Sequence, residues 1–405
     1  MPNELPLTKL VSIRPRFSRS ICITRDWDRQ DALEGYILTP CGRAALGRIT
    51  SAISGKSATR VWSLTGPYGC GKSSFNLFLA KLLAGDDTAA DQARTYLKTQ
   101  DAGLWKSLFG PKSTLAQGAR FWPVLINGCR EPLETALLRG LADTVERFGR
   151  GRQISRLKGR LSKLATRRKA SGRTAEVVAL FESTLQTAVK SGACGLLLII
   201  DELGKLLEYA ANHSEDGDVF ILQELAEAAA RSQSPFLVVT TLHQALDRYT
   251  EHISQGRRQE WAKVQGRFED IAFEEPTEQM LRLLALAIQH TGSEEAQKAL
   301  ATEGQKLATE AWALGARVGT LNQGEFAQVF SAAMPLHPSV ALVLSPLFRK
   351  LAQNERSLFA FLASGETFGF QEFLAQHKWA PNAADVYRLD DAYDYVATAL
   401  GAALY

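Results

Sequence analysis

The sequence predicts an α/β core, a parallel sheet between two layers of helices, followed by a helical region. Three observations predict it. Apolar runs of strand length alternate with helical periodicity, a glycine-rich turn joins one such strand to a helix, and β-branched runs vanish beyond Pro276. At 405 residues the chain is long enough for two or three domains, each with its own core.

Arg60 to Thr65 ("RVWSLT") reads as a short strand, and Ser73 to Leu83 as a helix closed by Gly85. Phe121 to Ile126 is a second strand despite Pro123, and Pro132 to Val145 has helical spacing. Gly195 to Ile200 is an apolar run of strand length, followed by the helical "DVFILQELAEAAARS" and the β-branched "FLVVTT" at Phe236 to Thr241. Continuous apolar strands interleaved with helices mean a sheet buried on both faces. Beyond Pro276, "PTEQMLRLLALAIQH", Glu294 to Leu314, "GEFAQVFSAAM" and "SVALVLSPLFRKLA" favour helix. The expected division is an N-terminal segment at 1–55, a core at 56–275 with a basic helical insertion at about 86–190, a helical lid at 276–350, and a further helical or winged-helix region at 351–405. The closing apolar "YVATALGAALY" fits a docked helix or the continuation into a longer protein.

Composition is ordinary for a globular protein, with 45% apolar and 22% charged residues. No apolar run approaches the ~20 residues that cross a bilayer, and the N-terminus lacks a signal-peptide apolar core, so a soluble, cytoplasmic protein without a membrane partner is expected. Five cysteines without a CxxC pair and six histidines without an HExxH arrangement argue against a disulfide framework and a zinc site. A net charge of +4 leaves any nucleic-acid affinity to local charge.

The turn is "GPYGCGKSS", comprising Gly66, Pro67, Tyr68, Gly69, Cys70, Gly71, Lys72, Ser73 and Ser74. Gly66-x-x-x-x-Gly71-Lys72-Ser73 satisfies the Walker A pattern in its required strand-to-helix context. Glycines let backbone N–H groups curl around a β-phosphate, Lys72 neutralises β and γ oxygens, Ser73 ligates Mg²⁺, and the helix start favours the anion. Cys70 reads as a tolerated small residue. The second half of the site is "GLLLIIDELGK", a strand that ends in Asp201, placed to hold the metal opposite Ser73. Beside it Glu202 is the candidate general base for the attacking water. Thr241, at the end of the next strand, is the candidate γ-phosphate sensor, with His243 and Gln244 as rivals. Arg267, ahead of "FEDIAFEEP", is either an arginine finger for a neighbouring subunit or a surface arginine paired with Glu269 or Asp270. No guanine-reading NKxD motif occurs, so adenine is the expected base.

These residues resemble AAA+ ATPases, three-layer P-loop NTPases of the ASCE group. Walker A, the Asp-Glu Walker B, a sensor strand, "GRFEDIAFEEPTEQ" and a helical lid follow in that family's order, over about Arg60 to Leu351. The pattern is most similar to the origin-recognition and initiator clade and to STAND ATPases. "DELGKLLEYA", "LHQALDRY", "EWAKVQGRFEDI" and "PLHPSVALVLSPLFRKLAQNERSLFAFL" resemble large bacterial ATP-binding proteins of anti-phage defence. The resemblance implies ATP and Mg²⁺ as cofactors and a homo-oligomer or partner subunit that supplies the arginine finger. Lys72, Ser73, Asp201, Glu202 and Arg267 take the matching roles. Lys72 and Asp201 are 129 positions apart, more than a compact AAA+ core uses, so an insertion lies between Asp86 and Gly195. For the sensor-2 arginine, Arg282, Arg349 and Arg356 stay open.

Within the insertion, "RFGRGRQISRLKGRLSKLATRRKASGR" holds eleven Lys or Arg and no acid between Arg147 and Arg173. Arg152, Arg156, Arg160, Lys163 and Arg167 share one helical face, and Leu157, Leu161 and Leu164 mark another. The basic face is a candidate for DNA or RNA backbone, or for an acidic partner; the alternative is a solvated helix face.

Overall fold

The computed structural model describes residues 5–111, 113–166, 173–213, 219–244, 248–249, 261–351, 358–380 and 383–404. The chain divides into two units. One comprises Ile21–Gly66 and Gly71–Glu274; the other gathers Met1–Ser20, Pro67–Cys70 and Glu275–Tyr405.

The first unit is built on a five-stranded parallel sheet of β1 (Val61–Thr65), β2 (Phe121–Asn127), β3 (Gly195–Asp201), β4 (Phe236–Leu242) and β5 (Glu269–Ala272). Its spatial order is β2-β3-β4-β1-β5. β4 thus lies between the strand that enters the glycine-rich turn and the strand that ends in Asp201. All seven residues of β3 and of β4 are buried, as strands covered on both faces require. Alternation splits β3: Leu196, Leu198 and Ile200 join the core formed with α2 to α6, while Leu197 and Ile199 point to the opposite face. Pro123 sits in β2 without penalty because β2 is an edge strand. The Pro123 carbonyl accepts from the Thr144 hydroxyl at 2.8 Å.

The helices of this unit are α1 (Lys72–Ala84), α2 (Leu133–Phe148), α3 (Arg152–Thr166), α4 (Arg173–Lys190), α5 (Leu203–Asn212) and α6 (Phe220–Arg231). Gly140 brings α2 close to β2: a Cβ there would stand 2.7 Å from Ile126 Cγ1. The extra length between Lys72 and Asp201 falls on both sides of β2. Helices Thr88–Gln100 and Ala102–Phe109, capped by Asp87 and Asp101, precede it, and α3 follows α2.

The second unit is helical, with α7 (Thr277–Ala287), α8 (Glu294–Ala313), α9 (Gln323–Ala332) and α10 (Pro338–Leu351) at its centre. Asn322 and Glu325 form a reciprocal capping box at the start of α9. Two small sheets decorate it. Val11–Ile13 pairs antiparallel with Ile288–His290, and Leu5–Pro6 pairs with Lys378–Ala380, which also pairs with Ala383–Ala384. The N-terminal segment is therefore divided between the units, because strands of two or three residues carry no readable period. No described helix is long and apolar enough to cross a membrane.

Candidate functional site

β1 delivers the glycine-rich turn to the C-terminal edge of the sheet. The Gly66 N–H donates to Leu242 O at 3.1 Å, tying the start of the turn to the end of β4. Gly69 and Gly71 have φ of 73° and 93°, a region costly for any side chain. Gly71 is the N-cap of α1, and no side chain caps that helix's first turn. The start of a helix favours an anion through its leading N–H groups. Lys72 is buried, and its ammonium folds back to donate to Gly66 O at 2.5 Å, since a buried cation requires a partner. Cys70 is buried, and Pro67, Tyr68, Ser73 and Ser74 are half-buried.

β3 brings Asp201 to the same edge. It is 1% exposed, and burial raises its carboxyl above the ordinary range, opposed by the Thr241 and Ser73 hydroxyls and by Lys72, and reinforced by Glu202. Oδ1 accepts from the Thr241 hydroxyl at 2.7 Å, whereas buried Oδ2 has no hydrogen-bond partner. A buried carboxylate with one oxygen unsatisfied, beside a serine hydroxyl, suits a hard divalent cation. These residues therefore fit Mg²⁺, on a donor set of Asp201 and Ser73.

Glu202 follows in a left-handed conformation, φ 56° and ψ 43°, at the N-terminus of α5. Its N–H donates to Thr241 Oγ1 at 2.7 Å, so one threonine clamps the backbone of one acid and the carboxylate of the other. Gly128, just past β2, donates its N–H to Asp201 O at 2.7 Å, and a Cβ there would fall 2.1 Å from Glu202 O. The Glu202 carboxylate accepts from Lys205 Nζ at 2.7 Å. His243 is half-buried and pushed down to about 3 by burial and by the charges of Lys72 and Lys205, so it is neutral at pH 7. Gln244 is exposed. The Tyr249 hydroxyl is hydrogen-bonded by the backbone of His243 and Gln244 and packs where a Gly204 side chain would stand, 2.3 Å from a Cβ. Gly128, Gly204, Lys205 and Tyr249 escaped the sequence reading. Only Lys205 left a signal there, three positions after Glu202 on a helix.

Arg267 follows a helical turn at 261–265 and is half-exposed, paired with Glu227 of α6 at 2.9 Å. The partner is neither Glu269, which Arg48 holds, nor Asp270, which accepts from Thr65. No described contact joins Arg267 to Lys72, Ser73, Asp201 or Glu202. Arg282 of α7 pairs with Glu278 and Glu325; Arg349 lies on α10, and Arg356 lies outside the described residues.

α3 packs Ile154, Leu157, Leu161 and Leu164 inward against α2 and α4 and exposes Arg156, Lys158, Arg160 and Lys163. Arg152 begins the helix; Arg167 lies outside the described residues. The ends of the basic segment serve the fold instead: Arg147 pairs with Asp28, and Arg173 approaches Glu134 to 3.9 Å. Arg160 donates to Ser183 at 3.3 Å, and no described acid pairs with Arg156, Lys158 or Arg160.

No protein-family model matches the chain, and no curated protein matches it. Among solved structures, the chain is similar to the ORC1 protein of Aeropyrum pernix, determined in complex with DNA. The TM-score is 0.32 at 12% identity, covering 82% of this chain and 65% of that one. The chain thus spans just under two thirds of that neighbour's length.

Proposed function

We propose that this chain is an AAA+ type ATPase that binds ATP with Mg²⁺ and hydrolyses it. One observation carries the reading: the turn of β1, the end of β3 and the end of β4 place Lys72, Ser73, Asp201, Glu202 and Thr241 at one sheet edge, with Asp201 Oδ2 unsatisfied. In the proposed reaction the turn's N–H groups and Lys72 hold the β- and γ-phosphates. Asp201 and Ser73 would hold Mg²⁺, which would supply charge neutralisation on the phosphate oxygens. Glu202 takes a proton from water as its oxygen bonds to the γ-phosphorus, and the bond to the β–γ bridging oxygen breaks, its electron pair leaving with ADP. Thr241 keeps the two acids in register. Arg267 would leave Glu227 to stabilise transition-state charge on a neighbouring subunit, which implies an oligomer.

The basic face of α3 supports nucleic acid, DNA or RNA, as the partner of nucleotide-driven remodelling or signalling, and the residue resemblance favours anti-phage defence as the setting. The test is ATP hydrolysis by wild type and Glu202→Gln, with and without duplex DNA, single-stranded DNA and RNA. Turnover that Glu202→Gln lowers 10²-fold or more, roughly the scale of general-base loss, supports the reading. Equal turnover in both proteins excludes it. A second reading, an ATP-driven assembly switch with little steady turnover, is favoured by the Glu202–Lys205 pair, in which one oxygen of the proposed base accepts from an ammonium.

A further inference from the structure

Between β1, β4, β5 and the segment that ends at Phe268 lies a small cleft of about 20 Å³. Its floor is the buried pair Ser63 and Thr240, partners in the β1–β4 register, with Leu203 and Leu242 beside them. Thr65, Asp270, Gln265 and Phe268 form its more exposed mouth. The hydroxyl protons here can be followed one by one. Thr65 donates to Asp270 Oδ1 at 2.5 Å. Its single proton is thereby spent, so Ser63 is the donor in the 3.4 Å contact between the Ser63 and Thr65 hydroxyls. Thr240 donates to Trp62 O at 3.4 Å. All three hydroxyls thus give their protons to the wall of the cleft and keep only lone pairs for its interior. Asp270 adds a carboxylate that has no described cation as partner, since Arg48 pairs with Glu269 and Arg267 with Glu227.

A cleft lined by acceptors and one carboxylate calls for a positive occupant. A water brings too few protons for this many oxygens, whereas an ammonium brings one for each and a bare cation accepts any oxygen that faces it. The volume suffices for one particle the size of a water, a size that potassium and ammonium share. It is too small for Mg²⁺, which keeps several of its own waters, and one carboxylate is too little charge for a caged Ca²⁺. We propose that this cleft binds one monovalent cation, potassium or ammonium, through Ser63, Thr65, Thr240 and Asp270. Gln265 and Phe268 flank Arg267, so the cation would tie the segment that carries this arginine to three strands of the sheet. None of the cleft's residues holds phosphate or Mg²⁺ in the proposed reaction, and the inference does not depend on the ATPase reading.

The experiment is thermal unfolding of the full chain, free of nucleotide and in EDTA, as choline chloride is replaced at constant ionic strength by potassium, ammonium or sodium chloride. Wild type, Asp270→Asn and Ser63→Ala are compared; choline is too large for the cleft. Potassium or ammonium at about ten times its dissociation constant is expected to raise the wild-type melting temperature by about 2–4 °C, and the rise saturates. The two salts show which ion the site prefers. Both variants should lose most of the rise, Asp270→Asn through its charge and Ser63→Ala through one ligand, and a loss in either supports the site. Equal melting in choline, potassium and ammonium overturns the proposal and leaves the cleft to water. A rise with sodium alone, or one that both variants keep, overturns it too, because the cation then sits elsewhere. If Asp270→Asn does not fold, calorimetric titration of potassium and of ammonium into wild type and Ser63→Ala decides: saturable heat that Ser63→Ala lacks supports the site, and equal heat in both excludes it.

Discussion

At the residue scale, Asp201 is buried with one carboxylate oxygen lacking a hydrogen-bond partner, which costs the fold. Its carboxyl is raised by burial, so the native state binds a proton more tightly than the unfolded chain does. Stability from this group is fully present below the unfolded pKa, falls as pH rises toward the folded value, and stays lowered above it. Asp201→Asn keeps an oxygen for the Thr241 hydroxyl and removes the buried charge. At pH values above the folded pKa it is expected to raise the melting temperature of the nucleotide-free protein by about 2–4 °C, and to flatten that pH dependence. On the proposed function ATP with Mg²⁺ should stabilise wild type and not this variant, and a thermal scan with and without nucleotide checks both predictions. The residue types at this edge were legible because a phosphate turn demands glycine, lysine and serine at fixed offsets. The Thr241 clamp was not, since it exists only because β4 lies between β1 and β3, and strand order leaves no trace in local spacing.

At the element scale, α3 has a packed apolar side and an exposed basic side. Ile154, Leu157, Leu161 and Leu164 seat it, and Arg156, Arg160 and Lys163 stand on the opposite flank over about 10 Å, at 1.5 Å per residue. That length matches roughly three phosphates of one duplex strand. Replacing the three by Gln should lower the salt slope of duplex binding by about 3, while helix content by circular dichroism is unchanged. A control with Lys106, Lys263 and Lys298 changed to Gln should leave the slope alone, and equal loss in both proteins would exclude a dedicated face. The long strands, the helices and this amphipathic pattern were legible because their periods extend over many residues. The ribbons at Leu5–Pro6 and Val11–Ile13 were not, because they are fixed by distant partners rather than by their own pattern.

At the scale of the whole molecule, the proposed role of Arg267 calls for a second copy of the chain. Arg267 has no described contact with the acids or with Lys72, and its partner Glu227 is only half-buried, so the arginine can be drawn away. If Arg267 acts across a subunit boundary, Arg267→Ala and Glu202→Gln are each inactive alone. Mixed in equal amounts they should recover about a quarter of wild-type turnover, because one interface in four then joins an intact Glu202 to an intact Arg267. Mixtures as inactive as their parents would place Arg267 outside the reaction.

The pairing of Val11 with His290 also sets an order of events during synthesis. A ribosome adds about 5–20 residues per second. The first strands therefore wait roughly 15–60 s for their partners, while the parallel sheet, complete once Ala272 has emerged, has every strand it needs. The nascent chain is thus expected to hold a folded α/β unit with an unpaired leading ribbon, and the helical unit closes last on a segment made first.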